Sequence, residues 1–174
     1  MSIFPTDFGW CGIAGDRGCV TGILIGHSDD ESVRRAWRSR SSPGNSGEAL
    51  RESDWHRELR RRFERYGLGE PVAFDDIEID QPRGTLFQER VRRITRAIPY
   101  GQTLSYGELA ARAGYPRAAR AVGSVMASNR FPIVIPCHRV VAAAGKLGGF
   151  SAPCGTGLKA RLLAMEAEGE SGRR

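Results

Sequence analysis

Four residues, Gln81-Pro82-Arg83-Gly84, separate two different hydrophobic patterns in this chain of 174 residues. Before them, small and apolar residues alternate in GWCGIAGDRGCVTGILIG (9–26), which predicts that residues 1–26 form two β-strands joined by a hairpin turn at 15–18. After them, apolar residues recur at helical spacing. The chain is therefore predicted to fold as an α/β part followed by a mainly helical part.

Two helices and one further strand are predicted in the first part. A short helix over 29–37 would be capped by Ser28 or Asp29, and the stretch SRSSPGNSG (39–47) would be a loop. EALRESDWHRELRRRFERYG (48–67) predicts a longer helix ending at Gly67, and PVAFDDIEID (71–80) predicts a strand. One face of the longer helix would carry Leu50, Trp55, Leu59 and Phe63, and its solvated faces would carry Arg57, Arg60, Arg61, Arg62 and Arg65.

Three short helices are predicted in the second part. Thr85 is a possible N-cap for a helix that stops before Pro99 and turns Phe87, Val91, Ile94 and Ile98 inward. TLSYGELAARAG (103–114) predicts a second helix, capped by Thr103 or Ser105, and RAARAVGSVMASN (117–129) predicts a third. Two short helices joined by a tight turn at Tyr115-Pro116 indicate a helix-turn-helix, although any αα-hairpin gives the same pattern.

Charge and cysteine content narrow the class of protein. The formal net charge is +6, carried mostly by arginine, which suits phosphate or nucleic-acid partners but also fits a solvated cationic surface. Because no apolar run approaches the roughly 20 residues of a membrane span and the N-terminus lacks the order of a signal peptide, a cytoplasmic protein without a membrane partner is expected. The four cysteines form no CxxC pair, so free thiols are expected.

The adjacent pair Cys137 and His138, in IPCHRVV (135–141), carries the clearest chemistry. A cysteine at this position could be a nucleophile, a metal ligand or a buried packing residue. In an extended segment the two side chains point to opposite faces, so a water or a turn would have to link them. No second cysteine or histidine lies nearby at metal-ligand spacing, and for a dipeptide alone the structural role is the commoner one.

The wider sequence context resembles a known family. IPYGQTLSYGELA, RAARAVGSVMASN, PIVIPCHRVV and GKLGGFS, in this order and ending in LLAMEAE, resemble the C-terminal domain of the O6-alkylguanine-DNA alkyltransferases, also called methylated-DNA–protein-cysteine methyltransferases. The resemblance covers residues 84–168 and implies a mainly helical, winged-helix-like DNA-binding domain there, with a tail at 169–174. The opening hairpin and helix resemble, loosely, the family's RNase H-like N-terminal domain, a small antiparallel sheet plus helices, over residues 1–81.

The resemblance implies a single-turnover repair reaction. Cys137 would take the alkyl group from O6-alkylguanine, or from O4-alkylthymine, in double-stranded DNA and keep it, with no cofactor and no metal, in a monomeric protein. His138 would take the thiol proton through a water, and Glu166 would orient the imidazolium. Asn129 would brace the turn that holds the Cys-His segment, and Tyr106 would donate to N3 of the guanine.

The resemblance also implies how DNA is bound. The damaged base would be flipped out of the duplex, and Arg120 would fill the vacated stack. Small residues on the same helix, Ala118, Ala119, Ala121 and Gly123, would let it press against the minor groove, although they also suit close packing within the protein. The walls of the base pocket would come from Met126, from the main chain at Cys137 and Val140, and from the GGFS loop (148–151) with Phe150 and Ser151. Relatives often have tyrosine at the position of Phe150, and the lengthened loop SAPCGTGLK (151–159) carries Cys154, which we expect to be a bystander.

Other classes of protein remain as alternatives. A non-enzymatic damage-binding protein of the alkyltransferase-like type would lack the cysteine, whereas here Cys137, His138, Asn129 and Glu166 are all in register. A methylation-responsive transcription regulator would need further domains, and a redox protein would need a resolving cysteine near Cys137. A zinc site in the first part would have to use the irregularly spaced Cys11, Cys19, His27 and His56.

Overall fold

A computed structural model describes residues 1–40 and 52–171. The elements in chain order are β1 (Ser2–Thr6), β2 (Gly9–Asp16), β3 (Cys19–His27), α1 (Asp30–Arg40), α2 (Arg57–Gly67), α3 (Leu86–Arg96), β4 (Leu104–Ser105), α4 (Tyr106–Arg112), α5 (Ala119–Ala127), β5 (Val140–Val141) and α6 (Gly155–Ser171). Single 3-10 turns cover Cys137–Arg139 and Ala143–Gly145. Within the described ranges, no helix is long and apolar enough to cross a membrane.

The N-terminal sheet has three antiparallel strands in the order β1-β2-β3. The predicted hairpin is confirmed, since β2 and β3 pair around a turn at Arg17 and Gly18, both of which have positive φ. The prediction of two strands over residues 1–26 was wrong, because β1 pairs with β2 from Ser2↔Ile13 to Thr6↔Gly9. Pro5 obscures β1 in the sequence, but an edge strand tolerates a residue without an N–H.

The first helix begins where the capping signal predicted. Asp29 Oδ1 accepts a 2.6 Å hydrogen bond from the backbone N–H of Ser32, so Asp29 rather than Ser28 caps α1. The helix runs on to Arg40, beyond the predicted end at Trp37. Residues 41–47 of the predicted loop lie outside the described residues.

The second helix is shorter than predicted. It begins at Arg57, where His56 Nδ1 accepts from the backbone N–H of Leu59, and ends at Gly67 as expected. Trp55 therefore lies before the helix, and its indole N–H donates to the Ile13 carbonyl at 3.1 Å. Leu59 and Phe63 are fully buried, as predicted, whereas Leu50 falls outside the described residues. The arginine face is solvated and ion-paired: acidic partners face Arg57, Arg60, Arg62 and Arg65.

The segment 71–80 is not a strand. Its one ladder contact is an isolated parallel bridge between Ile79 and Val20. Phe74 and Ile77 are both buried although they are three residues apart, because a turn closed by the Ile77 N–H and the Phe74 carbonyl points both inward. That geometry is incompatible with the alternation of a strand.

The helices after Gly84 match the sequence predictions in their caps and inward faces. Thr85 and Ser105 each form a capping box, with Gln88 and Glu108 respectively. The turn at residues 115–117 leads from α4 into α5, which forms the predicted helix-turn-helix pair. Buried side chains of the three helices and of the residues that directly follow them form one core cluster: Val91, Ile98, Leu109, Ala110, Ala113, Val122, Val125 and Met126.

A second core cluster joins the two halves of the chain. The sheet and α2 contribute Phe4, Ile13, Ile23, Leu59, Phe63 and Tyr66, while the later segment contributes Phe131, Ile133, Val134, Ile135, Leu158 and Leu162. The loop after α5 and the helix α6 are therefore packed against the N-terminal sheet and α2. This places the Cys137 segment between the two clusters.

Candidate active site

A braced loop leads from α5 to Cys137. The Asn129 side chain holds both ends of this loop: its Oδ1 accepts from the Phe131 N–H at 3.0 Å, and its Nδ2 donates to the Ile135 carbonyl at 2.8 Å. Between them, Ile133 has φ 73°, a conformation that is strained for a β-branched residue. Asn129 thus lies where it can brace the turn, as the resemblance implied.

The Cys-His pair itself lies on a 3-10 turn rather than on an extended segment. Cys137, His138 and Arg139 form this turn, and all three are buried. The turn then enters β5, which pairs in parallel with β4 through Leu104↔Val140. A turn of this kind removes the opposite-face geometry that an extended Cys-His segment would impose.

The imidazole of His138 is bonded on one side only. Its Nε2 lies 2.9 Å from Glu166 Oε1, and both side chains are fully buried. Its Nδ1 has no hydrogen-bond partner within the parts of the chain that the structure describes. One ring nitrogen is therefore held by the carboxylate, and the other is left to exchange a proton.

Glu166 is a shared acceptor for several donors. Arg139 approaches it with Nη2 2.8 Å from Oε1 and Nε 3.0 Å from Oε2, and the backbone N–H of Gly101 donates to Oε2 at 3.1 Å. The Tyr66 hydroxyl donates to Oε1 at 2.5 Å. A buried carboxylate with this many donors is held both in position and in its charged form.

The environment sets the resting protonation states. Burial raises the pKa of the Cys137 thiol, opposed by a hydrogen bond from Asn129 and the charge of Lys159. Burial also lowers the pKa of His138, although Glu166 acts in the opposite direction. For Glu166, burial favours the neutral form, but hydrogen bonds and charge from His138 and Arg139 prevail and lower its pKa to about 2. At neutral pH the site therefore holds a thiol, a neutral imidazole and a carboxylate, the arrangement needed for proton transfer from sulfur to imidazole.

Three buried polar residues of the site were missed by the sequence predictions: Tyr66, Arg139 and Lys159. Lys159 Nζ donates to the Val140 carbonyl at 2.6 Å, and its charge favours a thiolate at Cys137. Its spacing of seven residues from Glu166 puts both on one face of α6, and a charged residue inside the apolar run before Val140 could have indicated Arg139. Tyr66 has no local signal, because it is 72 residues from His138.

A cavity of about 730 Å³ opens beside Cys137. Most of the residues predicted for DNA binding or the pocket line it: Tyr106, Ala119, Arg120, Gly123, Met126, Phe150 and Ser151. Cys137 lines the cavity, whereas Val140 does not, and the Val140 side chain is buried in the helical core cluster; its main-chain role in the pocket stays a prediction. Ala118 packs against that cluster and Ala121 is exposed, so both lie on α5 or at its start without lining the cavity.

Tyr106 is held in the cavity wall by a close neighbour. It is the first residue of α4, and Gly148 approaches it so closely that a Cβ at Gly148 would lie 2.8 Å from its ring. Gly148 has φ +68°, a second reason for glycine at this position. Burial, and then the nearby Cys137, raise the pKa of Tyr106, so its hydroxyl remains a proton donor.

The remaining candidates lie apart from this arrangement. Cys154 is exposed, and its Sγ contacts the Gly26 carbonyl at 3.4 Å. Among the described residues, no three histidine, cysteine or acidic side chains come together in a way that could hold a metal ion. The alternative zinc site of Cys11, Cys19, His27 and His56 is therefore not assembled there.

Comparisons with known proteins agree with the sequence motifs. A family model described as 6-O-methylguanine DNA methyltransferase, DNA binding domain, matches residues 86–168. A methylated-DNA–protein-cysteine methyltransferase of Mycolicibacterium paratuberculosis is 52% identical over 101 residues, which are 58% of this chain and 59% of that protein, so the match spans about three fifths of that relative. The protein of the same name from Mycobacterium leprae is 43% identical over 156 residues, 90% of this chain and 84% of that protein.

The fold is similar to solved structures over nearly its whole length. The crystal structure of Mycobacterium tuberculosis OGT in complex with DNA covers 97% of this chain, with 92% of its own chain covered, at a TM-score of 0.72 and 31% identity. The small antiparallel sheet and the helices that follow it are thus shared with that protein.

Proposed function

The chain belongs to the methylated-DNA–protein-cysteine methyltransferase family, and from this we propose that it repairs DNA by transferring the alkyl group of O6-alkylguanine, or of O4-alkylthymine, irreversibly to Cys137. The observation that carries the proposal is the position of Cys137 in the wall of the 730 Å³ cavity, next to a buried His138–Glu166 pair. A packing cysteine would need neither the cavity nor the pair.

Transfer begins with activation of the thiol. His138 Nδ1 takes the Cys137 proton through a water, and Glu166 stabilises the imidazolium that forms. The thiolate attacks the alkyl carbon, so that the S–C bond forms while the C–O6 bond breaks and its electron pair goes to the guanine. Tyr106 donates to N3 of the base and so offsets the negative charge of the leaving group. The thioether is stable, and each protein therefore reacts once.

Duplex DNA is the proposed partner. The relative of known structure bound to DNA supports this, as does the net charge of +6. We propose that α5 lies in the minor groove, where Ala119 and Gly123 allow close approach, and that the target base is flipped at a cost of a few kcal/mol. Arg120 is exposed and lines the cavity, and we propose that it fills the space that the base leaves.

Finer structural assignments are also proposals. The three-stranded sheet with α1 and α2 is consistent with an RNase H-like domain over 1–81, and α3 to α5 are consistent with a winged-helix-like domain over 84–168. We further propose that the protein acts as a monomer in the cytoplasm and needs no cofactor.

Stoichiometric repair tests the function. A duplex with one O6-methylguanine would be titrated with protein, and repaired base would be counted against protein added. We expect repair to stop at one lesion per protein and to be absent in Cys137→Ala. Tight binding to the lesion without any repair would instead identify a non-enzymatic damage-binding protein.

A further inference from the structure

A buried tyrosine from the N-terminal part, Tyr66, contacts His138 and Glu166, which we call the proton relay because they would take the proton of Cys137. Tyr66 lies near the end of α2 and is fully buried. Its hydroxyl donates to Glu166 Oε1 at 2.5 Å and lies 3.2 Å from His138 Nε2. Tyr66 thus links the sheet-and-helix half of the chain directly to both members of the His138–Glu166 pair.

Aromatic neighbours fix the direction of this hydroxyl. The Tyr66 ring makes edge contacts with Phe8, Phe74 and Tyr100, with centroids 5.9 to 6.1 Å away. Such packing leaves the ring little freedom to turn the hydroxyl away from the relay. The contact to the relay is therefore part of the packed core and does not depend on a mobile side chain.

The single phenol proton determines whether Tyr66 acts as a donor or an acceptor toward His138. A carboxylate only accepts hydrogen bonds, so the Tyr66 proton points to Glu166, and the phenol oxygen is then an acceptor toward His138. His138 Nε2 thus faces two oxygens that accept, Glu166 Oε1 at 2.9 Å and the Tyr66 oxygen at 3.2 Å. The neutral imidazole must carry its hydrogen on Nε2, which leaves Nδ1 with a lone pair.

We propose that Tyr66 is a positioning residue of the alkyl-transfer reaction: it supports, together with Glu166, the Nε2–H tautomer of His138 and holds the Glu166 carboxylate, so that Nδ1 is ready to accept the Cys137 proton. The inference rests on the function proposed above. If Tyr66 has this role, the N-terminal half of the chain contributes a side chain that positions the catalytic histidine.

The effect of removing the Tyr66 hydroxyl on the titration of His138 depends on the polar and charged groups around the imidazole. Glu166 and Lys159 act on it from α6, Arg139 acts on it from its own turn, and Tyr66 contacts it from α2. In Tyr66→Phe the Glu166 carboxylate loses its shortest hydrogen-bond donor. Its negative charge is then less neutralised and attracts a proton on His138 more strongly. The imidazolium is then favoured, and the His138 titration moves to higher pH.

The first measurement is NMR of isotope-labelled histidine, which needs no DNA. The chain has three histidines, and His138→Gln identifies the third signal. In the unmodified protein at neutral pH we expect a neutral His138 with hydrogen on Nε2; hydrogen on Nδ1 would overturn the proposal even if no variant folded. In Tyr66→Phe we expect a higher titration midpoint, whereas an unchanged midpoint would overturn it.

The second measurement is the single-turnover transfer rate. Tyr66→Phe should react about tenfold more slowly, with unchanged affinity for the lesion duplex, because binding residues are untouched while the relay is less well aligned. Tyr100→Phe is the matched control: its hydroxyl donates to the Gly69 carbonyl at 2.8 Å, and its loss should leave the His138 titration in place. An unmodified protein that transfers no alkyl group would contradict the proposed function, while the NMR result would still decide the role of Tyr66.

Discussion

His138 Nε2 lies 2.9 Å from Glu166 Oε1, and neither side chain is exposed to solvent. The two residues are 28 positions apart and belong to different elements, the 3-10 turn and α6. Because Glu166 also binds Arg139, its charge is balanced even when His138 is neutral. His138 can therefore be neutral before the reaction, and Glu166 can still stabilise the imidazolium that forms when Cys137 gives up its proton.

Glu166→Gln tests the acid of the relay. The amide can accept a hydrogen bond but lacks the negative charge that stabilises an imidazolium, and we expect the single-turnover transfer rate to fall by about 100-fold. The control is Glu168→Gln, which changes the same type of side chain at an exposed position of α6. Equal rates in both variants would contradict the role of Glu166.

The free energy of unfolding should depend on pH in two windows. Because the pKa of folded His138 is lowered from 6.5, the unfolded chain binds more protons below that pH, and stability falls as pH decreases through this range. The stability contributed by Glu166 is fully present above 4.5 and is lost as pH falls toward about 2. Urea unfolding across this range measures both.

Two histidines, His138 and His27, should contribute to the loss of stability below pH 6.5. Burial lowers the pKa of His27 as well, so His27 contributes in the same direction. We expect His138→Gln and His27→Gln each to reduce the slope below pH 6.5. A slope that neither variant changes would show that other groups control the acid stability.

Asn129→Ala tests the brace of the active-site loop. The variant leaves the Phe131 N–H and the Ile135 carbonyl without their partner, at a cost of about 1–3 kcal/mol per buried group. We expect both a lower free energy of unfolding and slower transfer, since Cys137 follows this loop directly. Ser128→Ala, which removes a hydroxyl bonded to the Val125 carbonyl, is the neighbouring control and should leave the transfer rate unchanged.

Gly148→Ala tests the position of Tyr106. The added Cβ would lie 2.8 Å from the Tyr106 ring, so the ring must move and its hydroxyl with it. We expect transfer to slow by about tenfold or more. Gly157→Ala adds the same methyl group in open space on α6 and should have no effect on the rate. A normal rate in Gly148→Ala would mean that transfer does not depend on the placement of Tyr106.

Arg120→Ala tests base flipping. Without the side chain that fills the stack, a flipped base in a duplex returns more easily, whereas single-stranded DNA needs no such replacement. We therefore expect transfer from duplex DNA to slow by about tenfold or more, with a much smaller effect on a single strand. Arg61→Ala removes an exposed charge from α2, which does not line the cavity, and should affect both substrates equally.

Local signals were enough to predict many elements. The caps at Asp29, Thr85 and Ser105 act on the next three residues, so the sequence alone indicates where α1, α3 and α4 begin. The strand predicted at 71–80 failed because tertiary burial of Phe74 and Ile77 on a turn overrides β-propensity. The predicted start of α2 was wrong because Trp55 lies before the helix, where its indole N–H binds the Ile13 carbonyl of the sheet.

Only those residues of the candidate site that lie in the family's sequence motifs could be predicted from the sequence. Cys137, His138, Asn129 and Glu166 came from the family resemblance, and the structure brings their segments together. Tyr66 could not be found in this way, because its contacts with His138 and Glu166 span 72 and 100 residues and arise only from the packing of α2 against the later segment.

The central claim is that Cys137 itself receives the alkyl group. The most direct measurement is the mass of the intact protein and of its tryptic peptides after reaction with a duplex containing one O6-methylguanine. The account predicts one added methyl per protein, on the peptide that carries Cys137, and none on Cys11, Cys19 or Cys154. An unmodified Cys137 in protein that is bound to the lesion, or a methyl group on another cysteine, would contradict it.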